Sequence, residues 1–263
     1  MPVPDSVLAA PLPALPPDGT FQPSLLETPE RHPLRPGRAA AALGRTVVLA
    51  PHADDESLGC GGLLALLADA AQPATVVVVT DGTQSHPRSV THPAPRLRAL
   101  REAEARTAVA HLGHATRVEF LRFADCGLPA PGSDAFDRAA DRLAALVDEL
   151  RPHTLLVPWR RDPHGDHEAT WRLAWARRQP DVRWIEYPVW AWTRPETAPT
   201  QADASAWRLD VTAVRDRKRA AIAAHRSQHG LVIHDDPGGF ALPTTMLAAF
   251  DGPWELFLDP HDA

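Results

Sequence analysis

The stretch that decides the fold is residues 46–62, which read TVVLAPHADDESLGCGG. Its first five residues are apolar or β-branched, which is typical of a short strand buried inside a sheet. Four ionisable side chains follow at once, His52, Asp54, Asp55 and Glu56, and three glycines come soon after. A cluster of this kind directly after a buried strand indicates a functional site, because open α/β sheets bind their ligands beyond the carboxyl ends of their strands.

Outside this stretch, short apolar runs alternate with longer amphipathic segments. Such alternation is typical of βαβ units, and continuously apolar strands indicate a parallel sheet covered on both faces. We therefore predict a doubly wound, mostly parallel α/β fold with helices on both faces. The remaining predicted strands are 75–80, 118–123, 154–159, 183–192 and 207–211, and the predicted helices are 61–71, 96–112, 136–150, 167–178 and 214–228.

Composition excludes several classes of protein. The chain has 263 residues, 44% apolar and 23% charged, which is an ordinary globular mixture and argues against a disordered or fibrous chain. The net charge of −6 with interspersed signs argues against a nucleic-acid partner. No run of 18 apolar residues exists, so we expect no membrane span. The two cysteines, Cys60 and Cys126, form no CxxC pattern, and we expect a reducing, cytoplasmic compartment.

Residues 1–38 differ from the rest of the chain because they are rich in proline. They contain no basic region followed by an uninterrupted apolar run, so we do not expect a secretory signal. We predict an extended N-terminal arm that runs over the surface or contacts a second subunit of a homo-oligomer. Residues 39–263 contain no internal repeat and are predicted to form a single domain.

A second polar cluster follows the predicted strand 154–159 and reads RRDPHGDHE over residues 160–168. In a parallel sheet the two clusters can converge on one point. His52, Asp55 and either His164 or His167 would then supply three ligands for zinc, which keeps its fourth position for water in catalytic sites. Iron and manganese also suit such ligands. Asp54 is the natural general base for that water.

Other functions are less consistent with the sequence. The glycines at 59, 61 and 62 lack the GxGxxG spacing and no Walker lysine is present, so we interpret them as a tight turn into a closely packed helix. A phosphoesterase would need two metals, usually bridged by a shared carboxylate. A sugar-binding protein without catalysis would be expected to lack a ligand or the base.

The two clusters resemble the signatures of one family. Residues 51–56, PHADDE, are similar to the (A/P)H(P/A)DDE motif of the PIG-L/LmbE family of metal-dependent N-acetylglucosaminyl deacetylases. Residues 163–168, PHGDHE, are similar to its second motif, (P)HxDH. Ala53 stands where many members have proline, which changes loop stiffness but removes no functional side chain. The resemblance covers roughly residues 45–228.

The resemblance implies a Rossmann-like fold and the zinc-dependent removal of an N-acetyl group from a small amino-sugar substrate. It implies one Zn²⁺ per chain, with Fe²⁺, Mn²⁺ or Co²⁺ as chemical alternatives. Two alternative functions are an amidase that acts on a larger amino-sugar conjugate and a sugar-binding member of the family that is catalytically dormant. The implied roles are metal binding by His52, Asp55 and His167, general base catalysis by Asp54, stabilisation of the oxyanion by a protonated His164, and orientation of His164 by Asp166.

Three further expectations concern neighbouring residues. Glu56 is expected to hold a metal ligand in place by a hydrogen bond. Arg88, in the loop after residue 82, and Arg226, in the His-Arg-Ser-Gln stretch, are candidate substrate-binding residues. Trp190 and Trp192 could stack on a sugar, although tryptophans more often pack in a core or at its rim.

Overall fold

The fold is built on one eight-stranded sheet in a computed structural model that describes residues 24–114, 116–194 and 197–261. Its strands are β1 (Leu34–Arg35), β2 (Thr46–Ala50), β3 (Ala74–Thr80), β4 (Thr116–Phe123), β5 (Thr154–Pro158), β6 (Arg183–Tyr187), β7 (Ala204–Asp210) and β8 (Trp254–Pro260). Their order across the sheet is β1-β7-β8-β6-β5-β2-β3-β4. Only β8 pairs antiparallel with its neighbours, β6 and β7. This arrangement confirms the predicted mostly parallel α/β fold.

Helices cover both faces of the sheet, as predicted. They are α1 (Asp55–Asp69), α2 (Ala94–Leu112), α3 (Asp134–Leu150), α4 (Gly165–Trp175), α5 (Arg215–Ala224) and α6 (Thr244–Phe250). One apolar core joins the sheet to α1, α2, α5 and α6, and a second core joins its opposite face to α3 and α4. The sheet is thus buried on both sides, which explains the continuously apolar β2 and β3.

Helix α1 is buried almost completely over its first three turns. A Cβ atom at Gly59 would lie 2.4 Å from Tyr187 Cδ2, and one at Gly62 would lie 2.5 Å from Val211 Cγ1. The glycines therefore permit close packing and do not form a nucleotide loop. Helix α1 begins at Asp55, six residues before the predicted start at residue 61. Glycines have a low intrinsic helix propensity, but here the helix is stabilised by its packing against the rest of the fold.

Several predicted elements end earlier than the apolar pattern indicates. The strand predicted over 183–192 stops at Tyr187, before Pro188, and Trp190–Thr193 forms a 3₁₀ turn. The helix predicted over 214–228 ends at Ala224 and is followed by a second 3₁₀ turn, Arg226–His229. Strands β1 and β8 and helix α6 have no counterpart among the predicted elements.

Part of the predicted N-terminal arm lies on this chain's own sheet. Residues 1–23 are outside the described residues. Leu25 is buried, Ser24 forms an isolated bridge with Thr200, and β1 pairs with β7. The expected contact with a second subunit stays a prediction. In the part of the chain that is described, every helix is too short or too polar to cross a bilayer.

Candidate active site

Both polar clusters lie at the carboxyl edge of the parallel strands. His52 follows β2 directly, and Asp54 and Asp55 occupy the N-cap and first turn of α1. His164 is the N-cap of α4, and Asp166 and His167 lie in its first turn. Because β2 and β5 are neighbours in the sheet, these loops meet although more than a hundred residues separate them. The ring centroids of His52 and His167 are 5.6 Å apart.

The two ring nitrogens of His52 face different partners. Nε2 lies 3.1 Å from Asp166 Oδ2 and 3.3 Å from Asp125 Oδ1, whereas Nδ1 lies 3.4 Å from Asp55 Oδ2. Burial favours the neutral ring, but these carboxylates raise the pKa of His52 above its ordinary value. A proton on Nε2 satisfies Asp125 and Asp166 and leaves Nδ1 free to bind a metal beside Asp55.

His167 is oriented in the same manner by a carboxylate behind it. Its ring is completely buried, and Nδ1 lies 2.7 Å from Asp162 Oδ2. Its Nε2 lies 3.3 Å from Asp55 Oδ2, and neither ring nitrogen makes a hydrogen bond of favourable geometry to a described residue, although Nδ1 faces the Asp162 carboxylate. Burial lowers the pKa of His167, but Asp55 and Asp162 outweigh it and raise that pKa to about 9. A buried nitrogen without a donor or acceptor partner, held by a carboxylate at its other nitrogen, is typical of a metal ligand.

The spacing of these three residues fits one small divalent cation. With nitrogen and oxygen ligands at about 2.0–2.1 Å, tetrahedral zinc has ligand–ligand distances of about 3.3–3.4 Å. Asp55 Oδ2 lies 3.4 Å from His52 Nδ1 and 3.3 Å from His167 Nε2. Ring nitrogens of His52, His164 and His167 also lie within 4.8 Å of one another. We prefer the set with Asp55, because its Oδ2 lies within 3.4 Å of both His52 Nδ1 and His167 Nε2. His164 Nδ1, in contrast, already accepts the backbone N–H of Asp166.

Asp54 has the environment of a general base. Its side chain is buried, and burial raises its pKa to about 6, although Arg101 lowers it. The Arg101 guanidinium lies 3.5 Å from Asp54 Oδ2 and donates to the carbonyl oxygens of Ala53 and Gly82, each at 3.0 Å. A carboxyl group whose pKa lies this close to neutrality can both take and return a proton.

His164 lies above the cluster as a neutral donor. Its Nδ1 accepts the backbone N–H of Asp166 at 3.2 Å, so the other nitrogen, Nε2, carries the proton. Burial, reinforced by His52 and His167, lowers the pKa of His164 to about 2. The Trp190 indole stacks on the ring with centroids 5.4 Å apart. This lowered pKa favours a neutral ring, and the expected protonated imidazole stays a prediction.

Asp166 has a different contact from the expected one. Its backbone, not its carboxylate, meets His164, while the carboxylate accepts from the backbone N–H of Cys126 at 2.9 Å and faces His52. Asp166 thus orients a predicted metal ligand and the predicted oxyanion donor by two separate groups.

Glu56 also differs from expectation. Its Oε2 accepts the backbone N–H of Asp54 at 3.0 Å, and its Oε1 accepts from Ser57 Oγ at 2.6 Å and lies 3.0 Å from His225 Nε2. Glu56 therefore holds the predicted base rather than a predicted metal ligand.

The two candidate substrate-binding arginines have contacts outside the group of candidate metal ligands. Arg88 is 71% exposed at its side chain and pairs with the buried Asp236 at 3.2 Å. Arg226 is exposed on the 3₁₀ turn after α5. Within the described residues, no hydrogen bond or ion pair connects either arginine to His52, Asp55 or His167.

Sequence reasoning missed three residues of the site: Asp125, Asp162 and Arg101. Asp125 follows β4, a strand end where a functional side chain is expected in any parallel sheet. Asp162 lies inside the second cluster but carries no motif of its own. Arg101 gives no local signal, because a single arginine in an amphipathic helix is normally solvent-exposed.

Comparison with known proteins identifies a family for the part of the sequence that contains both clusters. The family described as "PIG-L: GlcNAc-PI de-N-acetylase" matches residues 47–177, which contain both clusters. A 1D-myo-inositol 2-acetamido-2-deoxy-alpha-D-glucopyranoside deacetylase of Nakamurella multipartita is 30% identical over 235 residues, covering 70% of this chain and 79% of that protein. A 2'-N-acetylparomamine deacetylase of Streptomyces fradiae is 27% identical over 135 residues, 47% of this chain, and the match spans about half (48%) of that relative.

The fold agrees with a solved structure as well. The crystal structure of the A40926 pseudoaglycone deacetylase Dbv21 aligns with a TM-score of 0.67 at 20% identity, over 83% of this chain and 98% of the other. At this identity the likeness concerns the fold alone. The matched motifs, the extent of the Nakamurella alignment and the shared architecture together mean that this chain belongs to the PIG-L family of N-deacetylases.

Proposed function

We propose that this protein is a zinc-dependent hydrolase that removes the N-acetyl group from a small amino-sugar substrate of the N-acetylglucosamine type. One observation carries the proposal: Asp55 Oδ2 lies 3.4 Å from His52 Nδ1 and 3.3 Å from His167 Nε2, next to a buried Asp54 whose pKa is raised to about 6. This combination supplies a metal site with a base directly beside it.

His52, Asp55 and His167 would hold the cation, with two imidazoles and one carboxylate as in many catalytic zinc sites. When bound, such a cation polarises the amide carbonyl and makes water acidic enough to lose a proton near neutral pH. Fe²⁺, Mn²⁺ and Co²⁺ accept the same ligands, so availability contributes to the choice.

Asp54 moves the proton in both halves of the reaction. It takes a proton from the attacking water, whose oxygen forms a bond to the acyl carbon. It then gives that proton to the departing nitrogen as the C–N bond breaks, so the products are a free amine and acetic acid, which ionises to acetate by passing its proton to the amine or to solvent. The shifted pKa suits both tasks.

His164 stabilises the negative charge that develops on the acyl oxygen. Its Nε2–H is a fixed donor, because Nδ1 is occupied by the backbone N–H of Asp166 and the ring is stacked on Trp190. Preorganised donors of this kind contribute about 10²–10³ in rate. Asp166 supports this role through its backbone while its carboxylate orients His52.

The substrate class follows from the relatives, whose names describe N-acetylated amino sugars. Trp190 and the exposed edge of Arg88 are the side chains that we propose for the sugar and its substituent, and Arg226 is a further candidate. Cys60 and Cys126 are both free in the described residues, which supports a reducing compartment such as the cytoplasm.

The test measures metal content and acetate release from N-acetylglucosamine and its glycosides. We expect one metal per chain and acetate from the wild type, with turnover about 10²–10⁴-fold lower and metal retained in Asp54→Asn. Asp203→Asn, a buried aspartate outside the site, is the matched control.

Two other results would contradict the proposal. A folded protein without metal would remove the central claim. Bound metal without acetate from any of these sugars would redirect the assignment to an amidase on a larger amino-sugar conjugate or to a dormant sugar-binding member.

A further inference from the structure

The turn after α5 is anchored on two buried glutamates. His225 Nε2 lies 3.0 Å from Glu56 Oε1, and Glu104 accepts the backbone N–H and the hydroxyl of Ser227 at 2.8 and 2.6 Å. His225 and Ser227 are themselves buried. The turn therefore reaches into the site from a point about 170 residues away in sequence, although the proposed chemistry assigns His225 and Ser227 no task.

Asp54 has a backbone conformation that needs external support. Its φ of 148° and ψ of −29° lie in a region that a residue with a Cβ rarely adopts, so the conformation is strained. Its carbonyl oxygen accepts the backbone N–H groups of Ser57 and Leu58, each at 3.0 Å. Its own N–H points to Glu56 Oε2 at 3.0 Å. The direction of the Asp54 side chain thus depends on where the Glu56 carboxylate lies.

His225 fixes the other oxygen of that carboxylate. Against a carboxylate, Nε2 must be the donor, and Ser57 Oγ donates to the same Oε1 at 2.6 Å. Since Glu56 and His225 are almost completely buried, no solvent can replace these bonds when one of them is lost.

Anchoring of helix α1 does not explain this contact. Its middle is already held by Glu255, which accepts the backbone N–H groups of Gly62 and Leu63 at 2.6 and 2.8 Å. Lys218 pairs with the same glutamate at 2.7 Å. The His225 contact acts instead at the first turn, where the only strained residue of the loop is Asp54.

We propose that His225 is a positioning residue that holds Asp54 in its reactive conformation through Glu56. It fixes Oε1, so that Oε2 remains on the Asp54 N–H and the Asp54 carboxylate remains directed at the site. This inference rests on the proposed function only in assigning Asp54 its role as base; the contact itself is independent of any reaction.

Three variants test the proposal by kinetics. In His225→Ala we expect kcat to fall about 10- to 100-fold, as for a misplaced catalytic group, with KM and zinc content close to wild type. In His225→Gln the side-chain amide can again donate to Glu56, so most of kcat should return. The control is His229→Ala, because His229 lies on the same turn but contacts only the Ile222 carbonyl oxygen, at 3.0 Å.

A second measurement needs no substrate. Hydrogen exchange of a peptide covering residues 51–58 should be faster in His225→Ala than in the wild type and unchanged in His225→Gln and His229→Ala. Unchanged exchange and unchanged kcat in a folded His225→Ala would overturn the proposal. If the wild type releases no acetate while the exchange result holds, the proposed function fails and the positioning contact stands.

Discussion

A substitution at Asp162 tests whether this carboxylate orients the proposed metal ligand His167. Its carboxylate is completely buried and accepts the backbone N–H groups of Val189, Trp190 and Ala191 at 2.8–3.2 Å, while Oδ2 lies 2.7 Å from His167 Nδ1. The same group therefore fixes a predicted metal ligand and the loop that carries the Trp190 indole. We predict that Asp162→Asn weakens zinc binding.

The expected loss of zinc affinity follows from replacing one carboxylate oxygen of Asp162 by an NH₂ group. An asparagine keeps one acceptor and turns an NH₂ group toward either His167 Nδ1 or the backbone N–H groups. If the NH₂ group faces Nδ1, the proton of the ring must move to Nε2, the atom assigned to the metal. Loss of such a supporting partner costs about 10- to 100-fold in metal affinity, equivalent to about 1.4–2.8 kcal/mol.

Zinc affinity is measured by competition with a chromophoric chelator at neutral pH. Glu186→Gln is the matched control, because Glu186 is equally buried but accepts from the Trp171 indole at 2.7 Å and contacts no proposed ligand. That control should bind zinc as tightly as the wild type. Equal zinc affinity in folded Asp162→Asn would refute the claim that Asp162 orients His167.

Three other outcomes are expected. Replacing Arg101 by Met removes the charge that lowers the pKa of Asp54, so the acid limb of the kcat/KM profile should move to higher pH, and Arg101→Lys should move it less. Gly59→Ala places a methyl group 2.4 Å from Tyr187 Cδ2 and should lower the free energy of unfolding in urea by about 1–3 kcal/mol. Burial raises the pKa of Asp203, but hydrogen bonds outweigh it and hold that pKa below 3.8. Its stabilisation is therefore present above that pH and is lost as pH falls, so the deficit of Asp203→Asn in urea unfolding at pH 7, about 1–3 kcal/mol, should shrink toward pH 3.

The sequence predicts the parallel half of the sheet well because its signal is local. Strands β2 and β3 are buried on both faces, so the apolar runs that mark them need no knowledge of their partners. Strand β8 was missed for the opposite reason. Its apolar run is only three residues long, 256–258, because charged residues flank it at 255 and 259, and Glu255 is buried only because Lys218 and the α1 backbone meet it there.

The same distinction applies to the site. His52, Asp55 and one of His164 or His167 can be proposed because polar residues at two strand ends can converge in a parallel sheet, whereas the choice of His167 comes from the family resemblance. The supports behind them are not predictable, since Asp162, Arg101 and His225 acquire their roles only through contacts made across the fold. The tautomer of His164 also depends on such a contact, the hydrogen bond from the Asp166 backbone.

The position of β8 has a consequence for how the chain is made. This strand is the last of the described strands to leave the ribosome, yet it lies between β6 and β7 in the sheet. The nascent chain therefore has both polar clusters outside the ribosome well before β7 and β1 can join the other strands. Truncation ahead of Trp254 would leave every proposed metal ligand in place but detach those two strands and remove Glu255 from α1.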